Sequence, residues 1–303
     1  TPQTLCYIAP RSQSTATLEP SQMEVYEMTQ KSKSHRLFRH MAKGMGAALL
    51  LASAAVAAKK PMTPADLVKV DAVRDPRISP DGKWVVYSVS SQDAKTNKSR
   101  TKLYVAPLHG GKARQLTRGP GSDFSPRWSP DGKRLAFVST RGGKGTQLWI
   151  LPFKKGGEAR QVTQVATGVS SPIWRPDGKR LAFVSRVFPQ CRTETCNKKV
   201  LKKRKTSGIK AEIFDSLLYR HWNHWRHGRV KHILDVAACG GESRDLTPGK
   251  ADAPPVALGS SHDFHYSPDG KQLAFTKNTD TFIATSTNND VFVMGAEIGR
   301  AHV

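Results

Sequence analysis

Ser79-Pro80-Asp81-Gly82-Lys83 returns along the chain as Ser129-Pro130-Asp131-Gly132-Lys133, Arg175-Pro176-Asp177-Gly178-Lys179 and Ser267-Pro268-Asp269-Gly270-Lys271. Proline pre-sets the second place of a tight turn, aspartate bonds to nearby backbone and glycine takes the positive-φ place that closes it, so each phrase reads as a hairpin corner. A large apolar residue, Ile78, Trp128, Trp174 or Tyr266, stands three places ahead of each aspartate and ends the strand entering the corner. The strands leaving it, Trp84-Val85-Val86-Tyr87-Ser88, Leu135-Ala136-Phe137-Val138-Ser139, Leu181-Ala182-Phe183-Val184-Ser185 and Leu273-Ala274-Phe275-Thr276, are apolar on both faces and are expected to be buried on both.

A third strand follows in Leu103-Tyr104-Val105, Leu148-Trp149-Ile150 and Val291-Phe292-Val293, and a Gly-Gly turn leads to a fourth in Ala113-Arg114-Gln115-Leu116-Thr117 or Ala159-Arg160-Gln161-Val162-Thr163. Four-stranded meanders in the same order at a period of 46 to 50 residues predict an all-β fold, a β-propeller of about four blades with the last incomplete. A β-sandwich explains turn-punctuated strands but not identical phrases at a fixed period. The aspartates of the phrases stand 50, 46 and 92 residues apart. The double step suggests a copy whose front half was overwritten by an insert at about 187–229, leaving its third and fourth strands in 232–236 and 240–247.

The ends carry no repeat. Residues 1–27 read as translation upstream of the true start, with Met28 the better initiator. Lys31, Lys33, Arg36, Arg39 and Lys43 precede an apolar, alanine-rich run at 44–56, and Ala55-Val56-Ala57 supplies a small-x-small cleavage site, so 28–58 is expected to be a secretory signal peptide of the bacterial Sec type. About 13 apolar residues fall short of the ~20 a membrane anchor needs, and an exported protein, periplasmic or secreted, without a membrane span is expected. The partial propeller then occupies 62–294. The tail 295–303 resembles translated read-through of a sequencing adapter and is set aside from the fold.

About 245 residues remain after the leader, ample for one domain with a real core. The formal net charge of +24 invites a nucleic-acid reading, but the cations are spread over corners, the signal region and one run at 198–205 without interleaved aromatics, which reads as a solvated loop. No nucleic-acid partner is expected. Cys191 and Cys196 flank four residues and suit a local disulfide in an oxidising compartment, while Cys239 is left as a free thiol and Cys6 lies in the leader.

Chemistry concentrates at the end of the insert, in Tyr219-Arg220-His221-Trp222-Asn223-His224-Trp225. His221, His224 and His227 are spaced by three, but they share one face only on a helix and lack a completing carboxylate or cysteine, so no metal or other cofactor is expected. Arg220, His221, Trp222 and Trp225 instead offer a cation, hydrogen-bond donors and stacking planes for a peptide-like ligand. This string, on an interrupted propeller behind a signal peptide, resembles the N-terminal propeller of secreted prolyl oligopeptidase family serine peptidases, above all their dipeptidyl peptidase and acylaminoacyl peptidase branches, which carry R-H-W-D-x-W here. Asn223 stands in place of that aspartate.

The resemblance implies a two-part enzyme. The propeller would gate and bind short peptides, and a following α/β-hydrolase domain of the same chain would carry a Ser-Asp-His triad with its serine on a G-x-S-x-G elbow. No such elbow occurs in this sequence, so no catalytic residue is carried over and the fragment is expected to be inert. Ser260, His262 and Asp263 lie too close in sequence to form a triad. The alternative is a non-catalytic periplasmic binding propeller similar to TolB-like proteins, which has no need of a 40-residue insert bearing Arg220 and Trp222.

Overall fold

The computed structural model describes residues 61–153, 157–209, 211–214, 217–256 and 260–297. The expected leader, signal peptide and last six residues of the tail lie outside them. A short helix α1 (Pro64–Leu67) precedes the first sheet, made of β1 (Ala72–Ile78), β2 (Trp84–Asp93), β3 (Lys98–Pro107) and β4 (Arg114–Gln115). The second holds β5 (Asp123–Trp128), β6 (Arg134–Ser139), β7 (Gln147–Pro152) and β8 (Arg160–Gln161). Then come β9 (Ser170–Trp174) and β10 (Arg180–Val187), the insert with helix α2 (Glu194–Thr206), β11 (Arg220–His221) and β12 (His224–Trp225), and β13 (Val230–Ala237) and β14 (Arg244–Asp245). A three-stranded sheet of β15 (Phe264–Tyr266), β16 (Gln272–Lys277) and β17 (Asp290–Gly295) ends the described chain. Each sheet is an antiparallel meander, and successive sheets stack as propeller blades.

The repeated phrase makes the corner by a fixed set of bonds. Gly82, Gly132, Gly178 and Gly270 take φ of +66°, +64°, +66° and +71°. Ser79 Oγ donates to Asp81 Oδ1 at 2.6 Å and accepts the Trp84 N–H at 3.0 Å, and Ser129 and Ser267 repeat this with Asp131 and Asp269. Arg175 has no hydroxyl, and there the Lys179 N–H still donates to Asp177 Oδ1 at 2.8 Å.

A second regularity lies in the entry strands. Asp75, Ser125 and Ser171 take φ of +51°, +52° and +51°, and each precedes a proline, Pro76, Pro126 or Pro172. Proline donates nothing to a ladder, so the strand bulges and the register shifts there. The fourth blade has Phe264 at that place, and its strand pairs without a shift.

Three cores fill the spaces between blades. Val86, Leu103 and Val105 meet Trp128, Leu135 and Phe137, then Val138 and Leu148 meet Trp174, Leu181 and Phe183. Ile173, Val184 and Ile233 meet Phe264, Leu273 and Phe275. The corner tryptophans stitch the stack, since Trp128 Nε1 donates to the Arg77 carbonyl at 2.9 Å and Trp174 Nε1 to the Arg127 carbonyl at 3.0 Å. Strands β6 and β10 are buried on both faces as expected. Strand β2 is buried only at Val86 and Ser88, because the first blade has a neighbour on one face among the described residues, and on β17 Val291 and Val293 stay exposed for the same reason.

The structure corrects the reading of a lost copy. Strand β10, before the insert, pairs with β13, after it, in register from Arg180↔Ala237 to Val187↔Val230. The insert therefore splits the second and third strands of one complete blade, β9-β10-β13-β14, and no blade was overwritten. The double step in the sequence is a single blade lengthened by its insert. Asp235, at the centre of β13, ties the halves together: its buried carboxylate accepts from Arg180 on β10, Nη2 at 3.0 Å, and from Arg244 on β14, Nε at 2.9 Å and Nη2 at 2.7 Å.

The basic run at 198–205 is a helix, not a loop. Thr193 Oγ1 accepts the Cys196 N–H at 3.3 Å, Glu194 lies in the first turn, and Lys203, Arg204 and Lys205 lie in the last, all favourable to the helix dipole. Apart from Asn197, whose Oδ1 accepts the Phe188 N–H at 3.0 Å, no residue of this helix is buried. Among the described residues no helix is long and apolar enough to cross a membrane.

Candidate functional site

The insert is anchored at its root and open at its tip. Cys191 is bonded to Cys196 with Cα atoms 5.2 Å apart, which pins the start of α2 to the end of β10. Glu194 Oε1 accepts the Ala166 N–H at 2.7 Å across the gap to the preceding blade; its burial raises the carboxyl above the usual range. Arg204 lies over the Phe188 ring at 5.1 Å and pairs with Glu212 at 3.1 Å, and Glu212 also meets His227 Nδ1 at 3.0 Å.

Beyond these anchors the Arg-His-Trp string forms a two-stranded hairpin, with Arg220 opposite Trp225 and His221 opposite His224. Trp222 sits at the bend with φ +48° and is 82% exposed. Arg220 and Asn223 are also exposed. Trp225 is different, since it stacks with Phe214 at 5.6 Å and Tyr219 at 5.7 Å, and Phe214 and Tyr219 lie 5.0 Å apart. The three rings hold the hairpin on its loop and leave Arg220 and Trp222 presented outward. A cavity of about 640 Å³ is walled by Phe214, Tyr219, Arg226, Arg229, Asp252 and Ile283, and none of Arg220, His221, Trp222 or Trp225 lines it.

The hairpin is tied to the blades by charge. Arg226 pairs with Asp252, and Asp252 Oδ1 also accepts the Lys231 N–H at 2.8 Å. Burial, then the cations Lys231, Arg226 and Arg186, hold the His221 imidazole below its ordinary value. His221 and His224 are cross-strand partners on one face of the hairpin and line one small cavity, whereas His227 turns away to Glu212. Among the described residues no group of three or more His, Cys, Asp or Glu is arranged to hold a metal ion.

Ser260, His262 and Asp263 form a turn, as their spacing implies. Ser260 Oγ accepts the His262 N–H at 3.1 Å and its own N–H donates to Asp263 Oδ2 at 2.5 Å, so the carboxylate serves the backbone rather than the imidazole. Cys239 is free and exposed. The sequence names Tyr219 as part of the string but not its place in the aromatic stack, and gives no sign of Phe214 as its partner or of Asp252 as the anchor of Arg226. Phe214 stands five residues before the string, whereas Asp252 lies in a loop with no pattern around it.

A family model described as the TolB beta propeller domain matches residues 67–209. Dipeptidyl-peptidase 5 of Porphyromonas gingivalis is 31% identical over 274 residues, which cover 88% of this chain and 39% of the relative. The uncharacterized peptidase YuxL of Bacillus subtilis is 31% identical over 241 residues, 78% of this chain and 34% of the relative. Among solved structures, Pyrococcus horikoshii acylaminoacyl peptidase shares the fold with a TM-score of 0.54 at 17% identity, over 75% of this chain and 31% of that one. The chain spans less than two fifths of the length of the curated relatives it matches.

Proposed function

From a chain that matches a TolB-type β-propeller model and is similar to dipeptidyl-peptidase 5, we propose that it is the substrate-gating and substrate-binding part of an exported serine-type peptidase acting on short peptides. The observation that carries the reading is the reach of the similarity. The TolB-type match is confined to residues 67–209, while relatives named as peptidases are 31% identical over 88% and 78% of the chain. That longer similarity is what favours a peptidase over a binding propeller.

In this reading the blades form a rigid frame and the hairpin supplies contacts at its edge. Trp222 offers a stacking plane, Arg220 and His221 donate hydrogen bonds to peptide carbonyls or carboxylates, and Trp225 sets the hairpin's position. Bond cleavage belongs to an α/β-hydrolase domain that would follow in the same chain, with serine, aspartate and histidine acting as nucleophile, orienting group and general base. The signal region read at 28–58 is what supports export, with processing at the small residues that precede Lys59.

The test is hydrolysis by the complete gene product. Cleavage of dipeptidyl or acylaminoacyl reporters, abolished by a serine-directed fluorophosphonate, is the expected result. A purified, folded product that cleaves neither and takes up no fluorophosphonate overturns the reading and leaves the TolB-like binding propeller in its place.

A further inference from the structure

At the base of the hairpin a small cavity of about 30 Å³ collects an unbalanced set of charges. Arg186, Arg226, Arg229 and Lys231 line it together with His221, His224 and Val256, and Asp252 is the carboxylate on its wall. That carboxylate is already engaged, by the Arg226 guanidinium through one oxygen and by the Lys231 backbone N–H through the other. The Lys231 ammonium is buried and donates to the Pro255 carbonyl at 3.0 Å, which is a neutral partner. Arg229 Nε donates to the Arg226 carbonyl at 3.5 Å, with Glu212 the one carboxylate acting on its charge among the described residues, and Arg186 extends from an exposed position on β10.

Lys231 is buried and Arg226 and Arg229 are half-buried, and like charges so placed repel unless an anion joins them. Burial first, and then Arg186 and Arg226 against the opposing pull of Asp252, hold the Lys231 ammonium below its ordinary range. A water needs roughly 10–15 Å³ of such space, so the cavity admits a group about the size of a carboxylate. Arginine presents a planar fork that matches such a group, and the lysine adds a point charge.

We propose that this cavity is a carboxylate subsite, in which Arg186, Arg229 and Lys231 bind a carboxylate of the short peptide held by the hairpin, either its free C-terminus or an acidic side chain. The proposal rests on the peptide-binding reading above and adds to it a charge preference.

The test uses the complete gene product and three versions of one cleavable peptide: a free acid, its C-terminal amide, and an amide carrying one glutamate. The expected result is a KM about tenfold lower for one of the carboxylate-bearing peptides than for the plain amide, a preference that collapses toward one in Arg186→Ala and Arg229→Ala. The free acid or the glutamate amide, whichever is favoured, identifies the source of the carboxylate. Equal KM for all three, or a preference unmoved by both substitutions, overturns the proposal.

If no peptide is cleaved, the peptidase reading has failed, and titration with acetate decides the site on its own. A saturable shift of the His221 imidazole resonances that is lost in Arg186→Ala supports an anion site. No saturable shift overturns it.

Discussion

Replacing Asp235 by asparagine should loosen the split blade more than any surface change to the insert. The side chain is 1% exposed and takes four hydrogen bonds from Arg180 and Arg244, which reach it from the strands on either side. Removing one partner of a buried ion pair costs roughly 3–5 kcal/mol, because the remaining charge is left without compensation. Here the arginines are 22% and 40% exposed and part of that charge can return to water, so the expected loss is about 2–3 kcal/mol. For a domain of this size that is a fall in Tm of roughly 4–12 °C. The assay is thermal unfolding of the whole protein, followed by far-ultraviolet circular dichroism.

The pH dependence supplies a second reading of the same residue. Burial alone would raise the Asp235 carboxyl, but the hydrogen bonds of Arg244 and Arg180 outweigh it and hold it below the usual carboxylate value. A carboxyl depressed in the folded state contributes stability above its unfolded value near 3.8, and that contribution is lost as pH falls through the lower, folded value. The wild-type protein should therefore lose stability at acidic pH by a component that Asp235→Asn lacks. A loss under about 0.5 kcal/mol at neutral pH, with the acid limb unchanged, would refute the view that this carboxylate joins the two halves of the blade.

Trp174→Phe removes the indole N–H that binds the Arg127 carbonyl between blades and weakens the platform under Arg134, 4.8 Å above the ring; chemical denaturation should show a loss of about 1–2 kcal/mol. Gly132→Ala places a side chain at φ +64° in a corner and should cost roughly 1–2 kcal/mol in the same assay. On the proposed peptidase reading, Arg220→Ala combined with Trp222→Ala in the complete gene product should raise KM for short peptides with little change in Tm, because both side chains are exposed; unchanged kinetics would remove the hairpin from the binding site.

The repeated phrase made the corners, the strand ends at Ile78, Trp128, Trp174 and Tyr266 and the incomplete last sheet legible before any coordinate, because turn chemistry and strand period are local properties. The bulges at Asp75, Ser125 and Ser171 were legible too, in the proline that follows each, and went unread. The insert lies between β10 and β13. Its meaning was not legible, because arithmetic on spacing cannot separate a lost repeat from a lengthened one; only the pairing of β10 with β13 does. At the site, the string from Tyr219 to Trp225 announced itself by composition, whereas Asp252, which holds Arg226 beside it, comes from a separate loop that follows β14. The helical basic run was misread for a simpler reason: Thr193 and Glu194 at its start are a cap signal that the charge run obscured.

The most direct test of the central claim is to read the coding sequence downstream of the Met294 codon in the source genome. The account predicts an open frame that continues through further blades into a G-x-S-x-G elbow followed by an aspartate and a histidine. A stop codon after two or three more blades would contradict it and make the chain a binding propeller.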